Sequence, residues 1–321
     1  MATQVQPLLI GIDVSKHHLH ICLGPDQDLQ MIDNTTQGIR QWLKSLPSGP
    51  LWIALEATNT FHLEVLEQAH ARGHTLFVLD GYRLSRYRDS LGQRAKTDTH
   101  DARLLQRFLA HEGQALRPWS PPPQGFTYLQ RLMRRRTTLV QARVSLQQSL
   151  ADIPQLKRSL NALLARIRAL EQRIHHIVLK TFTELGWDAD LRRCQGIEGV
   201  GPLTAGALSY TFRRGAFANS DAYIAYLGLD VRVRDSGTQR ARRKLTKKGD
   251  PEVRRLLFLA AMQAARSASW RSFYQRHLAR GMSKIQALVA LARKLARVAF
   301  ALLKNQTEYR PKQPIQACAE T

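Results

Sequence analysis

Two short apolar runs in this chain end the same way, on an acid. Leu8-Leu9-Ile10-Gly11-Ile12-Asp13 and Leu51-Trp52-Ile53-Ala54-Leu55-Glu56 have the length and composition of buried strands. After the first, His18, His20 and Cys22 alternate with Leu19, Ile21 and Leu23 as far as Gly24-Pro25, the pattern of an adjacent antiparallel strand. Leu29 to Ile32 can add a third strand. Gly38 to Leu46 has helical spacing and stops at Pro47; a helix near His62 to Arg72 stops at Gly73. Thr75 to Leu79 reads as a further strand, and a helix starts around Thr97 to Asp101 and runs to about Glu112. Strands followed by alternating helices and strands make an α/β layer.

The shared acid ends carry a chemical expectation. If the two apolar strands are parallel neighbours, joined by the crossover helix, Asp13 and Glu56 sit side by side. Asp98 and Asp101 lie three apart, on one face of a helix start, and a helix packed across that end would add them. Four close carboxylates repel unless a cation compensates. Hard divalent ions suit oxygen ligands, Mg²⁺ first and Mn²⁺ second. Two such ions ~4 Å apart could clamp the attacking and leaving oxygens of a phosphodiester. A plainer reading stays open: a strand-terminal Asp is often a turn residue, Asp98 can be an N-cap, and Asp101 a first-turn acid. Glu56 is harder to explain that way, because an acid on a buried strand needs a partner.

Charge divides the chain. Residues 1–116 carry 11 Lys or Arg and 12 Asp or Glu, whereas residues 117–321 carry 37 and 13. A basic field of that size favours polyanionic partners and disfavours a simple metabolic enzyme. Cys22, Cys194 and Cys318 are far apart and form no CxxC pair, which argues for a reduced compartment and against a zinc ribbon. The first residues lack a basic n-region, so no signal peptide is expected. Leu288 to Leu303 is interrupted by Arg293, Lys294 and Arg297, too short and too charged for a bilayer span. A soluble, cytoplasmic protein is expected.

Trp119-Ser120-Pro121-Pro122-Pro123 is a stiff break between domains. Beyond it the pattern is helical. Leu156, Leu160, Leu163, Ile167, Leu170, Ile174 and Ile177 alternate spacings of 4 and 3, a coiled-coil seam, with Asp152 placed to cap that helix and Pro154 in its first turn. Phe126 to Leu150 has a weaker stripe, so the seam serves either an antiparallel pair within the chain or a dimer. Ile197-Glu198-Gly199-Val200-Gly201-Pro202 resembles a helix-hairpin-helix turn, in which glycines admit a phosphate and the next helix offers free N–H groups. An ordinary glycine turn between packed helices fits it equally well. Further helices are expected near 221–227, 251–267 and 284–303.

Between Arg232 and Lys248 lie eight basic residues: Arg232, Arg234, Arg240, Arg242, Arg243, Lys244, Lys247 and Lys248. The segment follows a helix ending at Tyr226-Leu227-Gly228, and a helix resumes with Asp250 as N-cap and Pro251 at its first position. It reads as a basic loop or hairpin that tracks a nucleic-acid backbone. Ser236, beside Gly237, is a possible nucleophile, although a serine hydroxyl needs a base or metal to act.

Taken together these motifs resemble the DEDD transposases, the family of Piv-type DNA invertases and related insertion-sequence transposases. Gly11-Ile12-Asp13-Val14-Ser15-Lys16 is similar to the family's first acidic motif, Glu56-Ala57-Thr58 to the second, and Lys96-Thr97-Asp98-Thr99-His100-Asp101-Ala102 to the third and most specific. Gly199-Val200-Gly201, Tyr226-Leu227-Gly228-Leu229 and Lys248-Gly249-Asp250-Pro251 resemble the C-terminal region, so the likeness covers nearly the whole chain. It implies a RuvC-like, RNase H-type domain over residues 1–117, a linker and coiled coil over 118–186, a mostly helical transposase domain over 187–304 and a flexible tail over 305–321. It implies Asp13, Glu56, Asp98 and Asp101 as Mg²⁺ ligands and Ser236 as the nucleophile that forms a phosphoserine link to DNA. It further implies donor and target DNA as partners, a guide (bridge) RNA that pairs with both, a homo-oligomer, and a prokaryotic nucleoid setting. Two departures stand out: Asn59 where the family usually has glycine, and Asp235-Ser236-Gly237-Thr238 where it has a Ser-Ser-Gly-Gly-like run. Two rival readings keep part of the picture: a hydrolytic, structure-specific endonuclease using water, and a non-catalytic nucleic-acid-binding protein.

Overall fold

The computed structural model describes residues 7–24, 29–92, 98–232, 235–236, 239–240 and 244–311. The chain forms two compact units that meet in the proline run, residues 1–121 and 122–321.

The first unit is a five-stranded mixed sheet with helices on both faces. Its strands are β1 (Leu8–Val14), β2 (His18–Cys22), β3 (Gln30–Asp33), β4 (Leu51–Glu56) and β5 (Thr75–Leu79). Their spatial order is β3-β2-β1-β4-β5. β1, β2 and β3 pair antiparallel, and β1, β4 and β5 pair parallel. The crossover from β3 to β4 is α1 (Thr36–Ser45), whose N-cap Thr35 accepts a hydrogen bond from Gly38 N. α2 (Leu63–Ala71) joins β4 to β5, and α3 (Gly81–Ser90) and α4 (Asp98–Glu112) follow. Alternate residues along each strand serve opposite cores. Ile10, Ile12, Ile53 and Leu55 pack with α1 and α2 residues such as Ile39, Trp42 and Leu66. Ala54, Phe77 and Leu79 pack with Leu104, Leu105, Phe108 and Leu109 of α4.

α3 is an element the sequence pattern does not announce. Of its ten residues, Tyr82-Arg83-Leu84-Ser85-Arg86-Tyr87-Arg88 included, Leu84 alone is buried, so it has no apolar stripe to read.

The second unit is helical. α5 (Phe126–Ser149) and α6 (Lys157–Glu184) form an antiparallel hairpin: Gly125 lies against Leu185, and Arg143 Nε donates to Glu171 Oε1 at 2.8 Å. The start of α6 differs from expectation. Pro154 opens a 3-10 turn through Leu156, and α6 begins at Lys157 without a side-chain cap from Asp152. α7 (Asp188–Gln195), α8 (Pro202–Arg213), α9 (Ser220–Tyr226), α10 (Pro251–Ala264), α11 (Ala268–Ala279) and α12 (Lys284–Asn305) complete the unit. α12 is its spine, burying Leu291, Leu295, Ala299 and Phe300 against Tyr223, Leu257 and Tyr210. The hairpin's base shares this core through Phe126, Leu129, Met133, Val178 and Phe182. Asp190, 2% exposed, is held by Arg193 at 3.2 Å and Arg213 at 2.6 Å. Tyr309, in the segment read from sequence as a flexible tail, is half-buried and stacks on Trp270.

Among the described residues, no helix is long and apolar enough to cross a membrane.

Candidate functional site

Strand register places the first two acids. Ile12 pairs with Leu55 in the parallel ladder, so the next rung sets Asp13 beside Glu56. Alternation then puts both on the α4 face of the sheet, with Leu9 and Gly11 of β1 and Trp52 and Ala54 of β4. β5 ends the same way: Leu79 pairs with Glu56, and Asp80 follows at once. Three parallel strands thus run out on acids along one edge.

α4 reaches that edge because Gly11 lets it. A Cβ at Gly11 would overlap Ala102 O and stand 2.5 Å from Gln106 N, so any side chain here pushes α4 off the sheet. Further along, Gly113 touches the Trp52 ring. With Ala102 over Gly11 and Gly113 over Trp52, α4 runs antiparallel to β1, and its N-terminus lies over the acid edge. Asp98 opens α4, and Asp101 is buried one turn in.

Asp13, Glu56 and Asp101 are gathered on one edge, with Asp98 opening the helix that reaches it. The Asp101 carboxylate accepts from Arg88 Nη2 of α3 at 2.6 Å, and both side chains are largely buried. The Asp98 side chain lies outside the described residues. Among the described residues, no three His, Cys, Asp or Glu side chains stand close enough to hold a metal ion. The donors present at Asp13, Glu56 and Asp101 are carboxylate oxygens, the chemistry a hard divalent cation takes. The compensating charge on Asp101 here is a guanidinium.

Arg88 and Asp80 are two neighbours that the sequence reading missed. Asp80 caps α3, accepting from Arg83 N at 2.9 Å, and Gly81 beside it leaves space that the Glu56 carboxylate fills. The signal for Asp80 was present, since β5 too is an apolar run ending on an acid. Arg88 gave none, being one of several arginines on a polar helix.

The basic segment of the second unit is a hairpin. β6 (Val231–Arg232) pairs with β9 (Lys244–Leu245), and β7 (Asp235–Ser236) with β8 (Gln239–Arg240), all antiparallel. Ser236 pairs with Gln239. The side chains of Ser236 and Arg240, and the whole of Arg234, Arg242 and Arg243, lie outside the described residues. Arg232, Lys244, Lys247 and Lys248 are exposed, and Lys247 has a left-handed conformation (φ 58°). At the hairpin's base Asp250 caps α10 through Glu252 N, and Arg134 and Gln130 of α5 donate to its other oxygen at 2.8 and 3.0 Å.

The glycine turn lies between α7 and α8, and its two glycines differ. Gly199 has φ 87°, and a Cβ there would stand 2.6 Å from Ala264 N, so this glycine is needed for packing on α10. Gly201 has open space on its Cα and serves as the N-cap of α8, with no side chain to accept the first-turn N–H groups.

Comparison with known proteins agrees with this layout. A family model described as Transposase, of the DEDD type, matches residues 10–160, and a second, described as Transposase IS116/IS110/IS902 family, matches residues 191–275. The chain is 26% identical over 317 residues to a pilin gene-inverting protein of Moraxella bovis, covering 94% of this chain and 97% of that one. A counterpart in Moraxella lacunata matches equally well. A probable family 20 transposase of Pseudomonas aeruginosa is 32% identical over 163 residues, about half of each chain.

Proposed function

The chain belongs to the DEDD transposase family, and from that premise we propose that it cuts and rejoins DNA, with Asp13, Glu56, Asp98 and Asp101 as the metal-binding carboxylates and Ser236 as the nucleophile. The observation that carries this reading is the placement of Asp13 beside Glu56 on the face that α4 covers, with Asp98 and Asp101 at the end of α4 nearest them. The strand order, with three antiparallel strands followed by two parallel ones, supports an RNase H-type sheet. A bound Mg²⁺ or Mn²⁺ would supply polarisation of the phosphate and of the attacking hydroxyl.

In the reaction, Ser236 Oγ attacks phosphorus of a DNA phosphodiester. The hydroxyl proton leaves to solvent or a nearby base, and the deoxyribose oxygen departs and takes a proton. The phosphoserine link keeps the ester energy, so a deoxyribose hydroxyl of the partner strand can attack it and release serine without ATP. The arginines and lysines of the hairpin, Arg232 and Lys244 among them, hold the backbone and offset the charge that develops on the phosphoryl oxygens. A guide RNA would supply the choice of site, leaving the protein to read backbone and shape. Two relatives are named for inverting a pilin gene and another is named a probable transposase, and cutting and rejoining DNA would serve either outcome.

The test is a denaturing gel of protein, labelled DNA and Mg²⁺. A protein–DNA adduct is expected from the wild type and not from Ser236→Ala or Asp13→Ala. An identical adduct with Ser236→Ala would exclude the serine. Nicks with free ends and full activity in that variant would favour the water-using endonuclease.

Rejoining two partners needs at least two strand-cutting centres, so the working form is an oligomer. In one chain the seam of α6 is half used. Leu160, Ile167 and Ile174 are half-buried, whereas Leu156, Leu163 and Leu170 stand exposed seven residues apart. We take this outer row as the coiled-coil contact with a second copy. Leu163→Asp with Leu170→Asp is expected to lower the sedimentation coefficient, and an unchanged value would remove the row from the interface.

A further inference from the structure

A cavity of about 710 Å³ in the second unit sits between α5, α6, the glycine turn and α10. That is the size of a site for a small-molecule-sized group. Its polar wall is basic: Arg136, Arg143 and Arg168 line it, with Glu171 as the one acid.

The charges around it do not balance. Glu171 is engaged by Arg143 at 2.8 Å. Glu252, close behind, is engaged by Arg255 through two hydrogen bonds of 2.7 and 2.9 Å. Arg136 stands among these groups with its Nε buried and without a hydrogen-bond partner. Burial depresses its pKa, and the nearby Arg255 and Arg143 add to this while Glu171 and Glu252 oppose it. A partly buried guanidinium whose neighbouring acids are already taken is stabilised by an external anion.

Two further features point the same way. α8 begins at Pro202 on this cavity, and Gly201 as its cap leaves the first-turn N–H groups to an outside acceptor. The opposite wall is apolar, formed by Leu256, Ala260 and Leu259, the last 44% exposed despite its bulk. Cationic groups on one wall and an apolar face on the other match a phosphate joined to a flat heterocycle.

We infer that this cavity receives one unpaired nucleotide of a polynucleotide strand, its phosphate on Arg136, Arg168 and the start of α8, and its base against Leu256 and Leu259. The site uses residues separate from the carboxylates and from Ser236. It rests on the reading that this chain handles nucleic acid.

The experiment uses the full chain and fluorescein-labelled 15-mers, single-stranded DNA, single-stranded RNA and fully paired DNA duplex, followed by anisotropy between 50 and 300 mM NaCl. Arg136→Gln with Arg168→Gln is expected to weaken single-strand binding about tenfold at 100 mM salt and to lower the salt slope by about one. Leu259→Ser is expected to weaken single-strand binding severalfold and leave the duplex unchanged. The strand type that loses more identifies the natural occupant as DNA or RNA. Arg158→Gln with Arg173→Gln, two exposed α6 positions, removes the same charge outside the cavity. Equal losses from the two arginine pairs, or single-strand affinities within twofold of wild type in both cavity variants, would overturn the inference. Matching thermal unfolding curves confirm that each variant is folded. Adduct formation by the same wild-type sample separates the two readings: a chain that cleaves DNA while its cavity variants bind normally overturns the cavity alone.

Discussion

The two units place their charges by different means. In the first, hydrogen-bonded register sets Asp13 against Glu56, and one absent side chain, at Gly11, brings α4 across them. In the second, arginines from α5 and α6 converge on a cavity at the start of α8, and no backbone ladder links them. A ladder tolerates no slip, because a one-residue shift turns every side chain to the other face. A helical cavity depends on how several helices pack, and its members are far apart in sequence. The acid site is thus backbone-defined and the basic cavity is side-chain-defined.

Three substitutions sharpen that contrast. Removing a carboxylate should act on chemistry and spare the fold: Asp13→Asn is expected to reduce adduct formation at least about a thousandfold, about 4 kcal/mol of barrier, with little change in urea unfolding. A comparable loss of stability would make Asp13 structural. Gly11→Val should do the reverse, destabilising the first unit by roughly 3 kcal/mol because an added side chain meets α4 backbone. Urea unfolding measures it, and a cost under about 1 kcal/mol would mean that α4 moves aside easily. Arg88→Ala strands a buried carboxylate at Asp101 and is expected to cost about 2–3 kcal/mol. Added Mg²⁺ should shrink that loss if Asp101 also serves a cation, and an identical loss with and without Mg²⁺ would separate Asp101 from the metal.

The smallest effect belongs to the second unit's core. Burial pushes the Cys194 thiol up to about 12 from an ordinary 9.0. The folded state therefore favours the neutral thiol, and its stability should fall as pH rises from about 9 toward 12. Peptide mapping after iodoacetamide at pH 8.5 is expected to show Cys194 unmodified until the chain unfolds. Ready alkylation of the native protein would show this packing to be looser than the structure has it.

How much of this was legible depends on the kind of signal. The five strands were readable from apolar runs and alternation, and the antiparallel and parallel neighbours of β1 came out as expected. The acids were readable because each closes a run or opens a helix. α3 and α11 were not, since each buries one residue and shows no stripe; α7 is short, and one of its three buried residues is the acid Asp190. The repeat along α6 looked like a single seam, yet the folded chain divides it, leaving Leu160, Ile167 and Ile174 half-buried and Leu163 and Leu170 exposed. Periodicity reports that a face is apolar and not what covers it. The glycine turn looked uniform, whereas Gly199 serves packing on α10 and Gly201 borders the cavity.

By itself the sequence determined the strand runs, the acids that end them, the charge division and the family. Those are properties of neighbouring residues, and local patterns record them. Only the tertiary structure decided that Arg88 meets Asp101, and that Arg136 keeps a buried Nε without a hydrogen-bond partner on a cavity beside the start of α8. Such pairings join side chains distant along the chain, and they follow from how packed helices exclude water and bring charges within reach.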